Sequence, residues 1–169
     1  KLNANWRKSF VEDAIEGRTF VECGTVIDTE HVSASIYILP ESLDERFAFY
    51  LPDENISERI RLHPISDPYI TDENTVNLIM AWDADSTFAN GDYSVGLHIE
   101  DAQGQLIAQA DVGVTANSQC ITMVIEGTAI TEGDYILRTT VYNWRTGDRL
   151  TSEVATADQR PQISTLVIE

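Results

Sequence analysis

Four side chains with oxygen ligands lie close together in WDADSTFANGD, a segment between two predicted strands: Asp83, Asp85, Asn90 and Asp92. Carboxylate and amide oxygens are the ligands that calcium prefers. The spacing departs from the EF-hand loop, because Thr87 stands two residues after Asp85 and the invariant glycine is missing. The segment therefore predicts either a calcium site at Asp83, Asp85 and Asp92 or an ordinary solvated acidic loop, and we favour the loop.

Two aromatic residues offer a different chemistry, the stacking of a sugar ring. Tyr142 and Trp144 follow each other on the strand face opposite Tyr135 and precede a polar turn, where Arg145 and Asp148 are suited to hydrogen bonding with sugar hydroxyls. The alternative is that this face packs against the N-terminal part of the chain, which must bury its own aromatic residues. Both interpretations remain open, and the packing interpretation is the simpler one.

The sequence carries no familiar catalytic motif. The three histidines are far apart, and His98 alternates onto the polar face of its strand, where we expect it to be exposed. Nucleophile-elbow, zinc-protease, P-loop and dinucleotide-binding patterns do not occur. A pair of carboxylates for glycoside hydrolysis leaves no local pattern, so a hydrolase is kept as a third hypothesis. No catalytic residue and no cofactor is predicted.

The charge of the chain restricts its partners. Twenty-eight acidic residues against eleven basic ones give a net charge of −17 over 169 residues. Such a surface repels nucleic acid and anionic lipid, so neither is expected as a partner. No stretch is long and apolar enough to insert in a membrane. The sequence leaves open whether Cys23 and Cys120 pair, and buried free thiols are the interpretation we favour.

The first third of the chain predicts a small mixed α/β element, residues 1–62, packing on a larger domain. An apolar stripe predicts a helix over residues 5–16, and β-branched residues predict a strand over 19–27. Residues 31–39 fit either a helix or a strand, and residues 47–51 fit a short strand. Two prolines, Pro64 and Pro68, predict a boundary at residues 62–70.

From residue 70 to 169 the apolar period becomes two. Seven short strands with frequent turn signals predict an antiparallel, immunoglobulin-like β-sandwich, and Trp82 belongs to the apolar face of its first strand. Gly133 and Tyr135, in ITEGDY, have the spacing of a tyrosine corner, in which the tyrosine hydroxyl bonds back to upstream backbone. We therefore assign Tyr135, Gly133 and Trp82 structural roles.

The segments DYSVGLHIEDAQGQL and GDYILRTTVYNWRTGDRL resemble a module at the extracytoplasmic, C-terminal end of bacterial multi-pass membrane glycosyltransferases of the protein mannosyltransferase type. The similarity covers residues 76–152, and the stretch from Trp6-Arg7 to Tyr50-Leu51 resembles what often precedes that module. The matching positions are Tyr93, Val95, Leu97, Ile99, Asp101, Gly104, Leu106, Gly133, Tyr135, Leu137, Tyr142, Gly147 and Leu150.

The resemblance implies a location and a neighbour, and no catalytic residue. We expect a non-catalytic accessory domain at the cell surface, belonging to a longer parent chain that is a membrane glycosyltransferase or a similar protein. It would act by packing, by spacing or by weak contact with substrate, with a glycan or another domain of the parent as its partner. The alternative is a carbohydrate-binding module that calcium steadies.

Overall fold

The computed structural model describes residues 21–29, 32–38, 47–51, 58–71, 75–126, 130–152, 154 and 157–168. These residues are mainly β, with antiparallel strands and no α-helix. Twelve strands follow one another along the described chain: β1 Val21–Thr29, β2 Val32–Ile38, β3 Ala48–Tyr50, β4 Arg59–Pro64, β5 Tyr69–Ile70, β6 Val76–Ala84, β7 Tyr93–Glu100, β8 Leu106–Gly113, β9 Ser118–Ile125, β10 Gly133–Asn143, β11 Thr151–Ser152 and β12 Gln162–Ile168.

The strands form two main sheets and a hairpin. The first sheet has four strands in the order β12-β10-β7-β8. The second has six strands, in which β11, β3, β4, β6 and β5 follow one another and β9 also pairs with β6. The hairpin of β1 and β2 packs against β9. The inner faces of the two main sheets share one core, as in a β-sandwich.

The alternating sequence pattern explains which side chains enter this core. On β6, Leu78, Met80 and Trp82 are fully buried, and Val95 and Leu97 occupy the same kind of position on β7. Successive side chains of a strand point to opposite faces, so this period of two places every second residue inside. The prediction of a mainly β, antiparallel fold is confirmed, while the immunoglobulin-like subdivision stays a prediction.

A tyrosine corner fixes the start of β10. The Tyr135 hydroxyl donates to the carbonyl oxygen of Thr131 at 3.0 Å, which is the backbone contact that the sequence pattern predicts. Gly133 has φ 153°, a backbone conformation that residues with side chains rarely adopt, whereas a Cβ there would make only an ordinary contact with the tyrosine ring at 3.8 Å. Trp82 also has a structural role. Its ring is fully buried in the core, and its indole N–H donates to the backbone carbonyl of Ala116 at 3.3 Å.

In the first third of the chain, one of the predicted secondary-structure alternatives is wrong. Residues 32–38 form strand β2, so the helix interpretation of residues 31–39 is wrong and the alternation of apolar residues there reflects a strand. Strand β4 runs into the predicted boundary, since Leu62 pairs with Trp82 and Pro64 with Met80. Strands β3 and β4 therefore belong to the same sheet as β6. The helix predicted over residues 5–16 lies outside the described residues.

Cys120 is disulfide-bonded, so the interpretation of this residue as a free thiol is wrong. Cys120 pairs with Ala81 across β9 and β6, and both lie on the face of the sheet that points away from the core. Strand β1, whose sequence contains the other cysteine of the chain, packs against β9. The disulfide thus belongs to the side of the sandwich where the β1–β2 hairpin sits.

Candidate functional site

The outer face of the four-stranded sheet is built from polar residues. Along β7, Ser94, Gly96, His98 and Glu100 alternate with the core residues and point away from them. Each of these outward residues is nevertheless buried. A polar face that is buried in this way requires hydrogen-bonding partners, because an unpaired polar group is costly away from water.

Gly96 forms the floor of this face. It pairs with Asp111 on β8 and with Thr140 on β10, so these two side chains flank it in one row across the sheet. A Cβ at Gly96 would lie 2.9 Å from Oδ1 of Asp111, 3.1 Å from Cγ2 of Thr140 and 3.4 Å from Nε2 of His98. Glycine inside a strand often marks a close approach of other groups. The missing side chain creates a depression that those three residues surround.

A carboxylate and a phenol meet above this depression. The Tyr142 hydroxyl donates to Oδ1 of Asp111 at 3.1 Å, and Nε2 of Gln109 donates to Oδ2 at 3.3 Å. Burial, followed by the charge of Asp111, raises the pKa of the Tyr142 hydroxyl above its ordinary value. Tyr142 therefore remains a neutral donor, and Asp111 is the acceptor of the pair.

His98 stands in the neighbouring row, between Gln109 and Arg138. The side chain is only 7% exposed, so the prediction of an exposed histidine is wrong. Burial is the main cause that lowers the pKa of His98, and Arg160 lowers it further, whereas Asp111 raises it. The imidazole is thus neutral near pH 7, and its Nδ1 has no hydrogen-bond partner among the described residues.

A buried ion cluster closes one end of the face. Glu100 is 3% exposed and accepts from Nε of Arg138 at 2.9 Å and from Arg160. Arg160 also pairs with Asp158, and it follows Gln159, which adopts φ 57°. A positive φ is uncommon for a residue other than glycine, so this turn is held by the contacts around it. Those contacts bring Arg160 onto the face from the loop before β12.

A pocket of about 310 Å³ lies on the outer face, and residues from these groups line it: His98, Gln109, Asp111, Thr140, Tyr142 and Arg160. Leu106 and Arg149 complete its wall, together with backbone at Gly147 in the turn after β10. The backbone of Arg149 forms an isolated antiparallel β-bridge with that of Tyr142. The Nη1 of Arg149 donates to the backbone carbonyl of Asp158 at 3.1 Å. The pocket offers a carboxylate acceptor, guanidinium donors and a neutral imidazole within one concave surface.

The structure places the predicted calcium ligands with three different partners. Asp83 pairs with Arg61, Oδ2 of Asp85 accepts from the backbone N–H of Arg59 at 2.8 Å, and Asp92 pairs with Arg145 at 2.5 Å. Within the described ranges, no group of three histidine, cysteine, aspartate or glutamate side chains is arranged to hold a metal ion. The WDADSTFANGD segment is a turn in which two of the three carboxylates form ion pairs.

The two predicted stacking residues engage different neighbours. Tyr142 lines the pocket, whereas the Trp144 indole N–H donates to the carbonyl of Gly91 at 2.7 Å. Trp144 is 52% exposed, and the Arg145 guanidinium lies 4.7 Å from the centre of its ring. The indole is therefore fixed at the surface, with Arg145 against the ring. The packing alternative involved the N-terminal residues, most of which lie outside the described part of the chain.

The pocket has no counterpart among the sites predicted from the sequence. Asp111 on β8, Tyr142 on β10 and Arg160 in the loop before β12 lie on three different segments, so no local pattern connects them. The one sequence signal is Gly96, a glycine in the middle of an otherwise regular strand. The register of β7 with β8 and β10 then determines which side chains surround it, and register is set by the assembled sheet.

No protein-family model matches the chain, and a search of curated proteins finds no match. In the described residues, no helix has the length and apolar character that crossing a bilayer requires.

Proposed function

We propose that this chain is a non-catalytic, extracytoplasmic accessory domain of a longer cell-surface protein, and that it acts by packing and by weak contact with a glycan. The observation that carries the location is the disulfide at Cys120. Disulfides persist in oxidising compartments and are rare in the cytosol. The net charge of −17 supports the same extracytoplasmic setting. A high net charge keeps a protein soluble, and the salt outside the cell screens the repulsion between its carboxylates.

The parent of this domain is proposed to be a membrane glycosyltransferase or a similar surface protein. The support is the spacing of the matching positions over residues 76–152, many of which the sandwich uses for its turns and inner faces. Gly104 and Gly147, for example, occupy turns with φ 78° and φ 82°. The sequence upstream of Lys1 tests this part, because repeated apolar spans favour it and a signal peptide directly before Lys1 contradicts it.

The location is tested by the redox state of Cys120 in the native cell. Cells are lysed in denaturant with a maleimide reagent, and the labelled protein is compared with a sample that is reduced first. We expect no label without reduction and labelled cysteines after it. Labelling of the unreduced sample would contradict an oxidising location. A variant in which both Cys23 and Cys120 are replaced by serine controls for labelling at other sites, because a single replacement would free the partner thiol.

A second function, carbohydrate stacking on Trp144, is favoured by the geometry of that side chain. The hydrogen bond to Gly91 fixes the plane of an exposed indole, and a fixed ring loses little entropy when a ligand stacks on it. Glycan binding that Trp144→Ala abolishes and Trp144→Phe retains would support this function. Binding that is equal in all three proteins would refute it.

A further inference from the structure

The pocket over Gly96 contains two buried polar atoms without partners. Nδ1 of His98 and Oγ1 of Thr140 make no hydrogen bond among the described residues, although both side chains line the pocket and are at least nine-tenths buried. Leaving such atoms unpaired is unfavourable, and buried polar groups normally find a partner in the protein, in water or in a ligand. The side chains that line this pocket therefore carry hydrogen-bonding capacity that the described part of the chain does not use.

The charges around the pocket balance. Three arginines and three carboxylates lie on this side of the sheet: Arg138, Arg149 and Arg160 with Glu100, Asp111 and Asp158. Glu100 pairs with Arg138 and Arg160, and Asp158 pairs with Arg160. Asp111 accepts instead from the neutral donors Tyr142 and Gln109, and Arg149 donates to the backbone carbonyl of Asp158. An anionic ligand would meet this carboxylate, so charge alone does not favour an anion.

The remaining groups match a ligand that both donates and accepts. Asp111 accepts hydrogen bonds, and Arg149, whose Nη1 donates to a backbone carbonyl, carries further N–H donors. Adjacent hydroxyls of a sugar can donate to a carboxylate and accept from a guanidinium at the same time. The volume of about 310 Å³ lies at the lower end of the usual range for small-molecule sites.

We propose that this pocket binds one neutral sugar unit, with adjacent hydroxyls held between the Asp111 carboxylate and the Arg149 guanidinium. Tyr142 orients Asp111 through its hydrogen bond, and the exposed side chain of Leu106 offers an apolar edge for the C–H face of the ring. His98 and Thr140 form part of the wall of the pocket, where Nε2 of His98 lies beside Gly96. The inference deepens the proposed function, because it names the site and the ligand class of the weak glycan contact.

The test is a titration of the disulfide-intact protein with the methyl glycosides of glucose, galactose and mannose, with methyl glucuronide as the anionic probe. For a ligand of this size we expect a dissociation constant on the order of 1 mM for at least one neutral glycoside. Asp111→Asn, which keeps the shape and removes the charge, should weaken binding roughly tenfold. Asp134→Asn, at an exposed position of β10, is the matched control and should leave the affinity unchanged.

Gly96→Ala provides a second variant that keeps every polar group. The added methyl group would meet the Asp111 carboxylate, which is the end of a side chain and can move, and Cγ2 of the buried Thr140, which has to shift slightly. We expect a modest loss of stability and weaker binding, and the affinity is compared at a temperature where the unfolding transition shows that the variant is fully folded. The proposal is overturned if no neutral glycoside binds up to roughly 20 mM, if glucuronide binds more tightly than all of them, or if neither variant alters the affinity.

The outcomes separate this inference from the proposed location. Free cysteines in native cells would refute the extracytoplasmic location and leave the titration valid. Absence of glycoside binding with a disulfide-bonded Cys120 would refute the sugar site and leave the location standing.

Discussion

Tyr142 on β10 reaches over β7 and donates its hydroxyl hydrogen to Asp111 on β8 at 3.1 Å. The two residues are not paired across adjacent strands, because Tyr142 pairs with Ser94 and Asp111 pairs with Gly96. The contact crosses the position where β7 lacks a side chain. The hydrogen bond links β10 and β8 across β7, and it places the Asp111 carboxylate, a hydrogen-bond acceptor, at the rim of the pocket.

This contact predicts a shift in the titration of Tyr142. The Asp111 carboxylate contributes to the raised pKa of the phenol, after burial. Asp111→Asn should therefore lower the pKa of Tyr142 towards its ordinary value, without bringing it fully there because burial remains. Ring signals of Tyr142 in an NMR titration measure the shift. An unchanged pKa would show that the two groups do not interact in solution, and Asp134→Asn serves as the control.

The buried carboxylate of Glu100 should contribute strongly to stability. Glu100→Gln removes the charge that two arginines, Arg138 and Arg160, share, and each arginine is about one-fifth exposed. Breaking a buried ion pair costs about 3–5 kcal/mol, and partial exposure of the arginines reduces the expected loss to about 2–3 kcal/mol. Urea unfolding measures the difference. A loss as small as that of exposed Asp134→Asn would contradict the assignment.

His98 should make the folded state sensitive to acid. Its pKa lies below the ordinary value of 6.5, mainly because of burial and then of Arg160, so the unfolded chain binds the proton more readily. Stability is therefore fully present above pH 6.5 and decreases as the pH falls through the folded pKa. Asp111 and Glu100 oppose this effect, and Arg149 adds to it.

The measurement for His98 is the free energy of unfolding as a function of pH, in the wild type and in His98→Gln. The variant should show a smaller decrease between pH 7.5 and 5.5, a window that spans the ordinary histidine pKa of about 6.5. Parallel curves for the two proteins would assign the acid sensitivity to other groups.

The tyrosine corner predicts a difference between Tyr135 and Tyr93, the two tyrosines that follow a Gly-Asp pair at the start of a strand. Tyr135→Phe removes the hydrogen bond to Thr131 and should lower the unfolding free energy by about 1 kcal/mol. Tyr93→Phe should cost less, because the Tyr93 ring is held by its edge contact with Phe88 at 5.1 Å, which the variant keeps. Thermal unfolding of both variants tests the comparison, and equal losses would contradict it.

The sequence predicted the fold better than the site, for physical reasons. The alternation of Leu78, Met80 and Trp82 is a local consequence of strand geometry, so it can be recognised without the partner strands. The same is true of the tyrosine corner, in which the hydrogen bond from Tyr135 to Thr131 spans only four residues.

The pocket depends instead on the register of three strands and on a loop that carries Arg160. Gly96, Asp111 and Thr140 are neighbours only because β7 pairs with β8 and β10 in this register. His98 appeared exposed because a polar face usually faces water, and this one is covered in part by arginines from other segments. The redox state of Cys120 likewise depends on which strand packs against β9.

An NMR titration of the wild-type protein with the neutral methyl glycosides tests the sugar site over Gly96 most directly. It follows side-chain signals in the pocket and at Trp144. We expect the signals of His98 and Tyr142 to shift in a saturable way while the signal of the Trp144 indole N–H remains unchanged. Shifts confined to Trp144, or no shift at either place, would contradict a sugar site over Gly96.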